Sequence, residues 1–359
     1  MELHERTQER INRDFHNDRR VFANGVSNGQ GGLSFHESGS DENLTHKKGP
    51  REHSLVDTFV WTLLFVIVLI VENICHFKLF ENCQTAIVFH WLESCVTAVL
   101  FKFWGSYKQI SSFRNQARHF LPLLFLHLAV VTVYGLDFNN SAFGLSAGSE
   151  SYLISLALTP PILLLASWLI DKQNYPGKVI LTVAMSSSLL MVLFCSFEDE
   201  YAPYKMLFHH GVLGLIMSAS LAFFIVYAKR YLAKASCVEL LYLLNFSCVF
   251  FLPFIALLLG ELHMLEAELL KRGNLQLIFS ILIVAFVRLA SQAVCLYHLK
   301  YSTPLLNATV RGFSWIWITI AITFITPGIM AELVVPVLAS FWICGPTFLL
   351  TLLFEFHWI

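Results

Sequence analysis

Residues 57–77 read DTFVWTLLFVIVLIVENICHF. Between Asp57 and Glu72 no charged side chain occurs, and the run is built of Leu, Ile, Val, Phe, Trp and Thr. A helix rises about 1.5 Å per residue, so about 20 apolar residues cover the roughly 30 Å hydrocarbon core of a bilayer. A helix that is hydrophobic all round has no face to offer water and belongs in lipid or inside a bundle. This one stretch predicts a transmembrane helix.

The rest of the chain repeats it. Further apolar stretches fall near 83–103, 119–136, 150–170, 177–197, 208–230, 236–259, 275–297, 304–325 and 333–354, making ten in all. Of 359 residues, 56% are hydrophobic and 14% charged, against about 25% charged in soluble domains. The expected fold is therefore an all-α polytopic membrane protein with ten transmembrane helices. A net charge of −1 provides no field for a polyanion, so no nucleic acid is expected as a partner. The lipid bilayer is the expected one, and the composition leaves a homodimer open. Roughly ten residues remain for each connection between spans. That leaves no room among them for a catalytic domain. No GxxxxGK[ST], HExxH or GxSxG motif occurs, and the eight cysteines form no CxxC pair. The chain reads as a non-enzyme without metal or cofactor.

Residues 1–56 differ. They hold eight Lys/Arg, nine Asp/Glu, five His and a glycine-rich patch from Gly25 to Gly32, with no apolar period. Such a segment buries too little apolar surface to offset its ordering entropy and is expected to be a disordered tail. With the tail in the cytosol, the loops on that side carry ten Lys/Arg, from Lys102 to Lys300, and the opposite loops carry four: Lys78, Lys205, Lys271 and Arg272. Cytosolic loops favour Lys and Arg, so an even number of spans with both termini cytosolic follows. On the far side stand Glu198-Asp199-Glu200, Glu261, Glu266 and Glu268, and a glycosylation sequon, Asn139-Asn140-Ser141, in an expected loop.

Among the ionisable residues inside spans, Glu72, His90, Glu93, Arg288 and Arg311 stand out. A charge at the bilayer centre costs about 2.5–3.5 kcal/mol on insertion scales, so each must face a cavity or a partner. Arg288 has two readings, a structural pair with Glu72 or Glu93, or a member of a gate or coupling network with Glu72, His90 and Glu93. Asn307, Arg311 and Trp315 recur at i, i+4 and i+8, on one helical face, with Gly312 and Ser314 permitting close approach. A guanidinium suits phosphate, and the amide one turn away would support it. In the seventh span Tyr242 and Asn245 share a side, either as hydrogen-bonding contacts to a base or sugar or as interhelical packing.

These residues resemble a known family. Thr85-Ala86-Ile87-Val88-Phe89-His90, Leu158-Thr159-Pro160 followed by an apolar run to Asp171, Val226-Tyr227-Ala228-Lys229-Arg230-Tyr231-Leu232, and above all Tyr301-Ser302-Thr303-Pro304-Leu305-Leu306-Asn307-Ala308-Thr309-Val310-Arg311 are similar to segments of the drug/metabolite transporter superfamily, in its triose-phosphate translocator and nucleotide-sugar transporter branch. The resemblance implies two inverted five-helix repeats, about 57–197 and 208–355. It also implies an antiporter that exchanges a nucleotide-sugar or related phosphorylated sugar against a nucleoside monophosphate across a Golgi or endoplasmic reticulum membrane. Arg311 and Asn307 would engage the phosphates, with Tyr242 and Asn245 as further substrate contacts. Val310 stands where the branch carries the first cation of a Lys-Arg pair, and Ser155 or Leu156 where phosphate translocators carry a lysine. A lone arginine favours a substrate larger than a triose phosphate. Two other readings stay open: a proton-coupled exporter of a neutral metabolite, and a non-transporting scaffold or trafficking protein.

Overall fold

The computed structural model describes residues 55–80, 85–103, 117–141, 156–198, 204–265, 274–325 and 330–355. The expected tail lies outside them apart from its last two residues. The described residues form α1 (Leu55–Phe80), α2 (Ala86–Phe103), α3 (Ala117–Ser141), a 3₁₀ turn (Leu156–Leu158) leading into α4 (Thr159–Asp171), α5 (Gly177–Glu198), α6 (Tyr204–Leu232), α7 (Cys237–Leu258), α8 (Asn274–Tyr301), α9 (Pro304–Gly312), α10 (Ser314–Ile325) and α11 (Met330–Glu355). No strand occurs among them. Five segments are long and apolar enough to cross a membrane: Val56–His76, Val212–Leu232, Cys237–Leu258, Leu275–Tyr301 and Leu338–Glu355. Large apolar side chains face outward, with Leu258 85% and Trp342 80% exposed. A surface of this kind is at home against lipid chains. The fold is that of an integral membrane protein.

Helix ends follow local chemistry. Ser236 caps α7 in a capping box, accepting from the backbone N–H of Glu239 while the Glu239 carboxylate accepts from the backbone N–H of Ser236. Thr303 caps α9 through its hydroxyl, and Pro304 supplies the first helical residue, where a missing N–H costs nothing. The α8–α9 junction is closed by charges from two helices distant in sequence. Lys229 at the end of α6 donates to the carbonyls of Leu299 (2.8 Å), Lys300 (3.2 Å) and Ser302 (2.8 Å), where α8 exposes its last acceptors. Glu355 at the end of α11 accepts from the backbone N–H of Thr303 at 3.1 and 2.8 Å. Glu355→Leu is expected to lower stability by about 1–2 kcal/mol, the scale of a lost cap, read as a fall in thermal midpoint in detergent.

Glu261, expected as a loop acid, is 2% exposed. Its carboxylate accepts from the N–H groups of Ile87 (3.0 Å) and Val88 (3.1 Å), at the positive end of α2. The sequon expected in a loop lies in the last turn of α3, because that helix runs on to Ser141.

The ninth apolar stretch is not one helix. The ladder stops at Gly312, Phe313 takes φ −104° and ψ 12°, and α10 starts afresh at Ser314. Of the fourth stretch, 150–155 lie outside the described residues; after the 3₁₀ turn, α4 itself has 13 residues, about 20 Å of rise and short of a bilayer core. Both short helices open with a Thr-Pro step, and they meet. A Cβ built on Gly312 would lie 2.8 Å from Pro160 Cδ and 3.0 Å from the Leu156 carbonyl oxygen. Neither a proline ring nor a backbone oxygen can swing aside. Gly312→Ala is therefore expected to cost about 1–3 kcal/mol through overpacking. Gly345→Ala, whose Cβ meets nothing within 4 Å, should be neutral or slightly stabilising in the same thermal measurement.

Candidate functional site

Three helices present residues at the same spacing. On α1, residues 69, 72, 73 and 76 are Leu, Glu, Asn and His; on α3, residues 127, 130, 131 and 134 are His, Val, Val and Tyr; on α8, residues 288, 291, 292 and 295 are Arg, Ser, Gln and Cys. The steps are i, i+3, i+4 and i+7, one face of a helix. All twelve side chains line one central cavity of about 130 Å³, joined by His90 of α2, Arg311 of α9 and Ser314 of α10. Met217, Phe224 and Leu244 supply part of its apolar wall.

Arg311 reaches this cavity from the last turn of α9, where unsatisfied carbonyls favour a cation. Its Nη2 donates to Cys295 Sγ at 2.9 Å, and its guanidinium lies 5.4 Å from the centre of the Phe65 ring. Asn307 points elsewhere. Fully buried, it donates from Nδ2 to His298 Nδ1 at 2.9 Å. That leaves the proton of His298 on Nε2, 3.1 Å from Thr62 Oγ1, which donates onward to the Thr58 carbonyl at 2.7 Å. Asn307 thus ties α9 to α8 and α1 behind the cavity. Trp315 lies in α10, beyond the break at Phe313, so the continuous face expected for Asn307, Arg311 and Trp315 does not exist.

Tyr242 and Asn245 do not line the cavity either. The Tyr242 ring packs edge-on to Phe101 at 5.8 Å and stacks on Phe246 at 5.4 Å. Asn245 is buried and donates to the Leu241 carbonyl (2.9 Å) and to Gln292 Oε1 (2.8 Å). The group that meets the cavity is Gln292, oriented by Asn245.

Glu72, His90, Glu93 and Arg288 do come together, and His76 joins them. Glu93 is fully buried behind the cavity wall. It binds Arg288 Nη1 through Oε2 at 2.7 Å, and the same oxygen lies 3.0 Å from His90 Nδ1. On its other side, Oε1 is 3.4 Å from His76 Nε2. Of the two carboxylates available to Arg288, Glu93 is the direct partner; Glu72 accepts from the Ser291 hydroxyl at 2.5 Å. His76, His90 and Glu93 each offer a donor atom within 4.8 Å of the others, a spacing that fits a metal ion. The Arg288 guanidinium already meets two of those groups, so the cluster has a cation of its own.

Sequence reasoning does not single out His76, Asn73, His127, Tyr134 and Gln292 as site residues. The signal that marks them is the presence of polar groups three, four or seven residues apart in otherwise apolar spans: Glu72, Asn73 and His76; His127 and Tyr134; Arg288, Ser291 and Gln292.

The class defined by fold and cavity is an all-helical integral membrane protein with charged side chains gathered around a small internal space. No protein-family model and no curated relative matches the chain.

Proposed function

We propose that the protein is a secondary carrier that moves an anionic, phosphate-bearing small molecule across an endomembrane by alternating access. The observation that carries this reading is Arg311: a guanidinium on the cavity wall, at a helix break, in the middle of an apolar stretch. Phosphate is the anion such a rigid donor fork suits best. A nucleotide-sugar or sugar phosphate is the substrate class, a nucleoside monophosphate the counter-substrate, and the Golgi or endoplasmic reticulum the membrane, with both termini cytosolic.

Two inverted five-helix repeats, 57–197 and 208–355, are the architecture that goes with it. Supporting it are the short helices α4 and α9, each opened by Thr-Pro and packed together at Gly312. Broken helices at the midplane are where repeat-built carriers place their ligands. A cavity of about 130 Å³ is smaller than the roughly 300–1,000 Å³ that organic ligands occupy. A sugar nucleotide therefore enters only when helices part, as alternating access requires.

One observation favours a second reading. Arg288 and Arg311 on the cavity wall are matched by Glu72 on the wall and Glu93 behind it, a balance that also suits a neutral substrate moved with a proton. Counterflow in proteoliposomes, with a panel of sugar nucleotides, sugar phosphates and uncharged sugars, separates the two. Exchange of the phosphate-bearing compounds alone is the expected result; exchange of uncharged sugars alone would replace the first reading with the second.

A further inference from the structure

Arg288, Glu93 and His90 form a triangle that counts protons. Nη1 of Arg288 lies 2.7 Å from Glu93 Oε2 and 2.8 Å from His90 Nδ1, and those two atoms are 3.0 Å apart. A guanidinium nitrogen has hydrogens to give and no lone pair to offer, so it donates toward both neighbours. His90 Nδ1 is then the bare nitrogen of a neutral imidazole, with the ring proton on Nε2. A proton on Nδ1 changes every side of the triangle. The new N–H points at Glu93 Oε2, the hydrogen bond from Arg288 to the ring is lost, and two cations face each other at contact distance. Glu93 has one negative charge and now two claimants.

The surrounding groups decide where Arg288 goes. From α1 come His76, 3.4 Å from the other Glu93 oxygen, and Glu72, held by Ser291. From α3 come Tyr134, its ring 5.8 Å from that of His76 and 5.6 Å from that of His90, and His127 on the cavity wall. Buried Cys248 stands on α7 and Arg311 on α9. Arg288 lines the cavity and Glu93 does not. A guanidinium released from Glu93 therefore turns toward the cavity, beside Arg311.

We propose that His90, backed by Glu93, is the proton site of the carrier, and that a proton bound there hands Arg288 to the anionic substrate. This deepens the carrier reading and rests on it. The step is balanced: one N–H bond forms at His90 Nδ1 with a proton from bulk solvent and now donates to Glu93, the hydrogen bonds from Arg288 to His90 Nδ1 and to Glu93 break, and the cavity gains one positive charge. Proton and anion then occupy the protein together. The substrate class is a dianion, whose two charges match Arg288 and Arg311; the pyrophosphate diester of a sugar nucleotide is one. A divalent metal at the same triad would add two charges beside Arg288 with only Glu93 to offset them.

The test uses the full chain in nanodiscs with UDP-glucose, whose diester charges do not titrate across the neutral and mildly acidic range. Binding is measured at about pH 5.5 and about pH 7.5, with an indicator dye counting protons taken up, and is expected to be about tenfold or more tighter at the lower pH, as linkage to one proton requires. Close to one proton should enter per molecule bound. His90→Gln should bind equally at both values, and Arg288→Gln weakly at both. The proton count on the unaltered protein decides even if the variants fail to fold. Binding without proton uptake, or a pH dependence that survives His90→Gln, overturns the proton site and leaves the carrier standing. Zn²⁺ binding that His76→Gln abolishes, with no proton uptake on UDP-glucose addition, assigns the triad to a metal instead. Failure of UDP-glucose and of every anion in the counterflow panel to bind at either pH overturns the carrier reading and this inference with it.

Discussion

Glu93→Gln is expected to destabilise the protein by about 3–5 kcal/mol, the scale of breaking a buried ion pair from one side. The carboxylate is fully buried, and Arg288, 4% exposed, has its guanidinium 2.7 Å away. A glutamine has nearly the same shape, so packing is kept. What is lost is the charge that offsets a buried cation, and a neutral amide replaces little of it. The double variant Glu93→Gln/Arg288→Gln removes both charges and should recover most of the loss, because the pair's attraction largely repays its own desolvation. Thermal midpoints of the two single variants and the double variant in detergent, read as a cycle, measure this coupling. A double variant no more stable than Glu93→Gln alone would mean that Arg288 does not depend on Glu93.

Arg311→Gln should abolish counterflow while leaving the fold in place. A charge-assisted contact to phosphate, removed from a site sheltered from water, costs about 2–4 kcal/mol, or roughly 30- to 1,000-fold in affinity. Arg311→Lys keeps the charge but loses the planar fork and should retain a small fraction of the exchange rate. Asn307→Ala is the informative contrast. Its amide serves His298 rather than the cavity, so its main effect should be a fall in thermal midpoint, with counterflow retained in the protein that remains folded. The measurement is the initial rate of counterflow per folded protein. Equal rates for Arg311→Gln and the unaltered chain would place the substrate's anion elsewhere.

Much of the fold is legible in the chain because lipid imposes a simple rule: every backbone polar group must be satisfied within its own segment, so apolar runs become helices. The described parts of the apolar stretches accordingly fall on helix, and five segments are long and apolar enough to cross a membrane. The same rule makes intramembrane charges conspicuous, which is why Glu72, His90, Glu93, Arg288 and Arg311 stand out from the amino-acid pattern alone. Other features are not legible there. The break at Phe313 has no proline to announce it, and α9 and α10 look like one span by composition. Nothing local assigns Glu261 to the start of α2 or Glu355 to the start of α9, since each acts on a helix far from it in sequence.

Hydropathy and charge are properties of each residue and act wherever the chain goes, so the amino-acid pattern alone marks a helical membrane protein and the few side chains its interior must accommodate. How those side chains divide is a matter of helix packing. It set Glu93, not Glu72, against Arg288, turned Asn307 and Asn245 away from the cavity toward His298 and Gln292, and brought His76 to the other face of Glu93. Partnership between charges depends on distances of a few ångströms across packed helices. That is fixed by how residues such as Gly312 and Pro160 let the helices approach.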